Sequence, residues 1–352
     1  MRGSLYSIAR LIDRRTVLRT AISLGLLAFL FWRIDVGAAA DAFRNANYVF
    51  VLPAVALFAV SKLLVAQRWR LMMLPYAALP LAPLWGILLV SNLANNVLPA
   101  RLGDLVRVQV PATRYGVSRA RGIATVFATE SLLDGVAIVV LGLIGLALID
   151  LQGFPTEVFW GLLGLVAGGL LAVIPLAHLR LSEGWTSRGV LPRLPDRPRL
   201  FIEEHLPHLI DGLGVFKHGA LAAQAMALSF AIWLMEVGVV VLLGLAFDIE
   251  LSMPAWMLVM ITANVVSAFP IAPSNIGAYE LAVAELLKAL GVDAGTAGAF
   301  AIAAHMFNIA WIATAGVAAM AALRLTLHDV FSLGAPQLEG AGGDVRVVEG
   351  RL

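Results

Sequence analysis

The chain has 352 residues; 60% are apolar, only 14% are Asp, Glu, Lys or Arg, and the formal net charge is +2. Soluble domains average roughly 25% charged and ~45–50% apolar residues. This composition therefore excludes most soluble folds, excludes disorder and offers nucleic acid no basic surface. With no cysteine there is no disulfide framework, no thiolate metal site and no thiol nucleophile, which leaves a polytopic helical membrane protein.

A spanning helix needs roughly 20 mostly apolar residues. Residues 1–16 carry Arg2, Arg10, Arg14 and Arg15 and read as a cytoplasmic N-terminal segment. Ala38-Ala39-Ala40 resembles a signal-peptidase site, but the charged lead is too long for a leader, so 17–34 is read as a span. Full spans follow at 49–66, 122–149, 157–178, 220–247 and 296–323. Two apolar stretches are short and interrupted: 81–98 ends in Ser91-Asn92-Leu93-Ala94-Asn95-Asn96, and 253–269 runs into Pro270-Ile271-Ala272-Pro273-Ser274-Asn275. The loop 179–218 is cytoplasmic, and the glycine-rich tail 326–352 is expected to be disordered on the same side.

If each short stretch enters and leaves on one side, Arg33, Arg44 and Lys288 alone lie outside, and the other 22 of the 25 basic residues lie inside or at inner helix ends. That bias places both termini in the cytoplasm. The predicted fold is all-α: six full spans plus two re-entrant or broken-helix hairpins, at 81–115 and 253–291, within a membrane domain over 17–325.

The two interrupted stretches match. Pro99-Ala-Arg-Leu-Gly103 and Pro273-Ser-Asn-Ile-Gly277 both read P-x-x-x-G, with Asp104 and Glu280 after the glycines. Gly116-Val117 and Gly291-Val292 follow, and 14 residues past each of those glycines an ionisable residue, Glu130 or His305, sits inside a span. Three full spans separate the hairpins, so the copies would enter from opposite faces, as in the inverted repeats of many secondary transporters.

At these residues the chain resembles a known family. Asn95-Asn96-Val-Leu-Pro99-Ala-Arg101-Leu-Gly103-Asp104-Leu-Val-Arg107 is similar to its first signature, and Phe269-Pro270-Ile-Ala-Pro273-Ser-Asn-Ile-Gly277-Ala-Tyr-Glu280 to its second. The family is the flippase-like transmembrane domain of lysylphosphatidylglycerol synthetase/flippase proteins and their stand-alone relatives. The resemblance implies a lipid translocator of the bacterial cytoplasmic membrane, with a membrane lipid as substrate and a lipid-modifying enzyme as a possible partner. The chain is expected to stand alone, without the soluble aminoacyl-transferase domain that some members carry, and to be no enzyme itself. A non-catalytic accessory or scaffold for a lipid-modifying or glycosyl-transferase enzyme is the alternative.

Glu130 and Asp134 are four apart and share a helix face deep in the bilayer. They form either a polar cavity for a head group or proton, or a satisfied pair that only braces the bundle. His305 and Asn308 share a face of the last span, with the histidine either titrating or simply hydrogen-bonded. Arg101 and Arg107 read as phosphate ligands or as positive-inside anchors. Gly103 and Gly277 are expected to turn the chain and aim a helix N-terminus into the site. The candidate binding set is Asn95, Asn96, Arg101, Gly103, Asp104, Arg107, Glu130, Asp134, Pro273, Asn275, Gly277, Glu280, His305 and Asn308. No cofactor and no metal are expected: His205 and His208 with Glu203 and Glu204 do not form H-E-x-x-H, and Pro207 interrupts their helix. The chain has no phosphate-loop motif, and no nucleophile–base arrangement stands out.

Overall fold

The computed structural model describes residues 36–97, 102–149, 219–268 and 273–325, with isolated positions at 25, 157, 160, 161, 164, 167 and 168. The span expected over 17–34, nearly all of that over 157–178, the loop 179–218 and the tail 326–352 lie outside the described residues. So do Pro99 and Arg101.

Among the described residues every regular element is helical. Four helices are long and apolar enough to cross a membrane: Tyr48–Met73, Arg119–Leu148, Gly219–Ala246 and Ala294–Leu323. In chain order the elements are α1 (Val36–Asn45), α2 (Val51–Met73), α3 (Leu81–Val97), α4 (Asp104–Tyr115), α5 (Arg119–Leu148), α6 (Gly219–Ala246), α7 (Met253–Ala268), α8 (Ala278–Ala289) and α9 (Ala294–Leu323). Two of them correct the sequence reading. α1, rich in alanine, falls where no element was expected. α2 runs on past the expected end at residue 66 to Met73, which brings Gln67, Arg68 and Arg70 into the helix.

Each short stretch forms a helix, a break and a second helix: α3 and α4, then α7 and α8, with the 3-10 turn Pro273–Asn275 inside the second break. Each second helix ends at a left-handed glycine, Gly116 at φ 68° and Gly291 at φ 93°, which a side chain would strain. A capped long helix follows. Ser118 accepts a hydrogen bond from the Arg121 amide at the start of α5, and Asp293 accepts one from the Thr296 amide, at 2.9 Å, at the start of α9.

Packing relies on small side chains, as helix contacts in a membrane do. Ala54, Ala225, Ala297, Ala299 and Ala301 are fully buried. α2 lies along α6, and α9 packs on α3, α8 and α1. One irregularity interrupts this order: Ala128–Leu133 of α5 is a π-helical turn, in which the Asp134 amide donates to the Thr129 carbonyl. Such turns occur often at functional sites. This one carries Glu130 and leads into Asp134.

Candidate functional site

α2, α3, α5, α6, α7 and α9 and the second break enclose a cavity of about 470 Å³. Its wall contains Lys62, Arg68, Glu130, Asp134, Glu236 and His305. Six ionisable groups at one internal surface of a helical bundle are costly to hold in a bilayer, and the structure shows how each is held.

Arg68 is 1% exposed and grips Asp134 with two nitrogens: Nη1 bonds Oδ1, and Nη2 donates to Oδ2 at 2.8 Å. Nη1 also donates to Ser229 Oγ at 2.6 Å, and Trp233 Nε1 donates to Asp134 Oδ1 at 2.8 Å. The two-pronged geometry is the strongest arrangement for such a pair. Lys62 Nζ lies 2.8 Å from Glu236 Oε1, which also accepts from Ser61 Oγ at 2.5 Å, and the ammonium sits 4.3 Å from the centre of the Phe58 ring. Glu130 Oε1 accepts from Arg107 Nη1 at 2.6 Å. Arg107 itself is 1% exposed and lies over the Trp69 ring at 4.7 Å, so it is buried in the bundle rather than anchored at an interface.

The second break meets the end of α3 at the cavity. Ser274 Oγ donates to the Asn96 carbonyl at 2.8 Å, joining the second break to the last turn of α3. Asn275 Nδ2 donates to the Ser267 carbonyl at 3.0 Å, and Asn95 Nδ2 donates to Asp104 Oδ1 at 2.9 Å. Behind this surface Glu280, 2% exposed, accepts from the Gly277 amide at 2.6 Å through Oε2 and faces His305 Nδ1 at 2.7 Å through Oε1. The carboxylate thereby caps the restarted helix α8 and orients the imidazole, which stacks on Tyr279 at 4.2 Å.

Of the expected site residues, Asn95, Asn96, Glu130, Asp134, Asn275, His305 and Asn308 line the cavity. Gly103, Asp104, Arg107, Gly277 and Glu280 stand behind its wall, where each braces a residue that does line it or the turn that carries one. Pro273 opens the 3-10 turn that delivers Ser274 and Asn275. The two glycines differ from the expectation of a shared turn. Gly277 has φ 91° and supplies one, whereas Gly103 has φ −58°, an ordinary helical value. Gly103 is needed for closeness instead: a Cβ there would sit 2.5 Å from the Asn95 amide nitrogen.

Lys62, Arg68, Asn92, Trp233 and Asn264 line the same cavity and were not singled out from the sequence. Glu236 lines it too, and its partners Ser61 and Lys62 lie far off in the sequence, on α2. The available signal was Lys62 inside an apolar run, since an intramembrane cation is by default a functional candidate.

An apolar groove of about 1190 Å³ runs beside the cavity along α2, α3 and α9, from Tyr48 to Leu323, and shares Leu243 and Phe307 with it.

The family described as the lysylphosphatidylglycerol synthase TM region matches residues 16–316. The glycosyltransferase AglD of Haloferax volcanii is 25% identical over 355 residues, covering 90% of this chain; the chain spans only 56% of that relative. A UPF0104 membrane protein of Methanothermobacter thermautotrophicus is 25% identical over 319 residues, 84% of this chain and 91% of the relative. Another, from Methanocaldococcus jannaschii, is 26% identical over 208 residues, 59% of this chain and 83% of the relative.

Proposed function

We propose that this chain, a multi-pass membrane protein that belongs to the lysylphosphatidylglycerol synthase TM region family, moves a lipid between the leaflets of the cytoplasmic membrane and performs no chemistry on it. The observation that carries this reading is the polar cavity where the two broken hairpins touch, opening beside an apolar groove with which it shares Leu243 and Phe307. Irregular backbone at membrane depth is tolerated where it lines such a cavity, and breaks at corresponding places in two halves mark a transporter's binding site. The head group would occupy the cavity while its chains remain in the groove, so that only the head group exchanges water for protein.

In this reading the hairpins are copies in an inverted repeat of a six-span bundle, with both termini cytoplasmic. Glu130 and Asp134 keep the wall polar, and His305 and Asn308 complete it from α9. A second reading is favoured by the likeness to a protein named as a glycosyltransferase: a non-catalytic membrane partner that presents lipid to such an enzyme.

The test is lipid movement in proteoliposomes. Acyl-labelled lipid is incorporated in both leaflets and the outer dye is chemically reduced. Vesicles with the full chain should lose more signal than the outer-leaflet share lost by protein-free vesicles. The same plateau in both would overturn the translocation reading. A rise in product when a glycosyltransferase is added to those vesicles would then support the second.

A further inference from the structure

We infer that the cavity recognises an uncharged, hydroxyl-rich head group, a sugar or polyol, rather than a cationic aminoacyl group or a bare phosphate. This deepens the lipid reading above by naming the head group. The argument begins with charge. Each cation and each carboxylate of the set Lys62, Arg68, Arg107, Glu130, Asp134 and Glu236 already has an opposite partner within it: Lys62 with Glu236, Arg68 with Asp134, Arg107 with Glu130. Three cations and three anions cancel within this set, and His305, also on the wall, is held by Glu280 at 2.7 Å. A cationic head group would have to break one of these pairs, stranding a buried charge. A phosphate would have to take Arg68 from Asp134, although both terminal nitrogens of Arg68 are already bonded.

What the cavity offers instead is amide. Asn92, Asn95, Asn96, Asn264, Asn275 and Asn308 all line it. Each carries two donors and an acceptor with two lone pairs, the complement of a hydroxyl, which donates one hydrogen bond and accepts two. The fold uses these amides only in part: Asn95, Asn264 and Asn275 donate through Nδ2 to Asp104, the Met260 carbonyl and the Ser267 carbonyl respectively. Asn95 Oδ1, Asn275 Oδ1 and Asn96 Nδ2 are buried with no hydrogen-bond partner, and so is Arg68 Nε. Asn92 and Asn308 make no side-chain hydrogen bond with the described residues. Buried polar atoms of this kind call for a partner. The amides of Asn92 and Asn308 alone bring four N–H donors and two carbonyl acceptors to the wall, enough for several hydroxyls held at different angles. The lone Nε cannot reproduce the two-pronged hold that phosphate takes from an arginine.

The test is retention in mixed micelles. The purified full chain is equilibrated with equal amounts of three acyl-matched lipids, monoglucosyl diacylglycerol, phosphatidylinositol and lysylphosphatidylglycerol, and the retained lipid is measured by mass spectrometry. Both polyol lipids should be retained roughly tenfold over the lysyl lipid. The variant Asn92→Ala/Asn308→Ala, which loses no described bond, should cut that preference by about three- to tenfold while the protein stays monodisperse. Equal or preferred retention of the lysyl lipid would overturn the inference, and so would retention of phosphatidylinositol alone, because the anion would then be what is read. If the double variant fails to fold, the selectivity of the unsubstituted chain still decides. Selective retention without movement in vesicles would remove the translocation reading and leave this one standing. Movement with preference for the lysyl lipid would do the reverse.

Discussion

Removing Arg68 alone should be far more damaging than removing it together with Asp134. In Arg68→Leu the Asp134 side chain, 13% exposed, keeps Trp233 but loses both guanidinium bonds. In Asp134→Leu the guanidinium, 1% exposed, keeps only Ser229. Stranding one partner of a buried pair costs about 3–5 kcal/mol, whereas replacing both with apolar groups of similar volume is near neutral or stabilising. Each single variant should therefore unfold at a markedly lower mole fraction of SDS in bicelle titrations, and Arg68→Leu/Asp134→Leu should return close to the unsubstituted chain, with a coupling of several kcal/mol between the two sites. Because Arg68 and Asp134 also belong to the polar wall of the cavity, the double variant should recover stability without recovering the full rate of lipid movement. A double variant as unstable as the sum of the two singles would refute the reasoning, since no charge would then have been relieved.

Gly103→Ala should cost about 1–3 kcal/mol by overpacking, because its Cβ meets the Asn95 amide at 2.5 Å; an unchanged SDS titration would contradict the close approach. Gly277→Val should cost about 1–3 kcal/mol for a different reason, the φ of 91°, and wild-type yield and stability would count against it. Burial pushes the Asp293 carboxyl up, but hydrogen bonds from Thr296 and Gly295 outweigh this and hold it below the usual range. Its capping contribution is present above the unfolded value of about 3.9 and is lost as pH falls through the lower folded value. Asp293→Ala should therefore lower thermal stability at pH 7 by about 1 kcal/mol and by less near pH 3; an equal loss at both pH values would rule that out. Cysteines at Asp41 or Asp248 should react with an impermeant thiol reagent from outside and one at Arg188 should not; external labelling at 188 would invert the proposed topology.

Much of the bundle was legible because apolar length is a direct physical demand of the bilayer. The four described spanning helices fall where hydropathy placed them, and both short helices break at the expected Pro/Gly runs. Spacing also grouped residues within one element, such as Glu130 with Asp134 and His305 with Asn308. It could not find partners far apart in the chain. Arg68 meets Asp134 66 residues on and Ser229 161 residues on, and Lys62 meets Glu236 174 residues on. Arg68 also lies just beyond the apolar run of α2, where a basic residue reads as an interfacial anchor. Gly103 illustrates another limit. Its motif matches that of Gly277, yet one glycine serves a backbone angle and the other a contact between helices, a difference set by packing. The π turn at Ala128–Leu133 leaves no mark in the hydrophobic pattern, because one extra residue per turn is smaller than the width of the apolar stripe.

The central claim is that lipid passes through the cavity where the two broken hairpins touch. Because the chain contains no cysteine, Ser267→Cys places a single thiol on the cavity wall, and Glu250→Cys places one on an exposed turn outside it. Lipid movement in proteoliposomes is measured before and after complete modification with a bulky thiol reagent. The account predicts that modification at position 267 abolishes movement and modification at position 250 does not. Undiminished movement through the fully modified Ser267→Cys protein would contradict it.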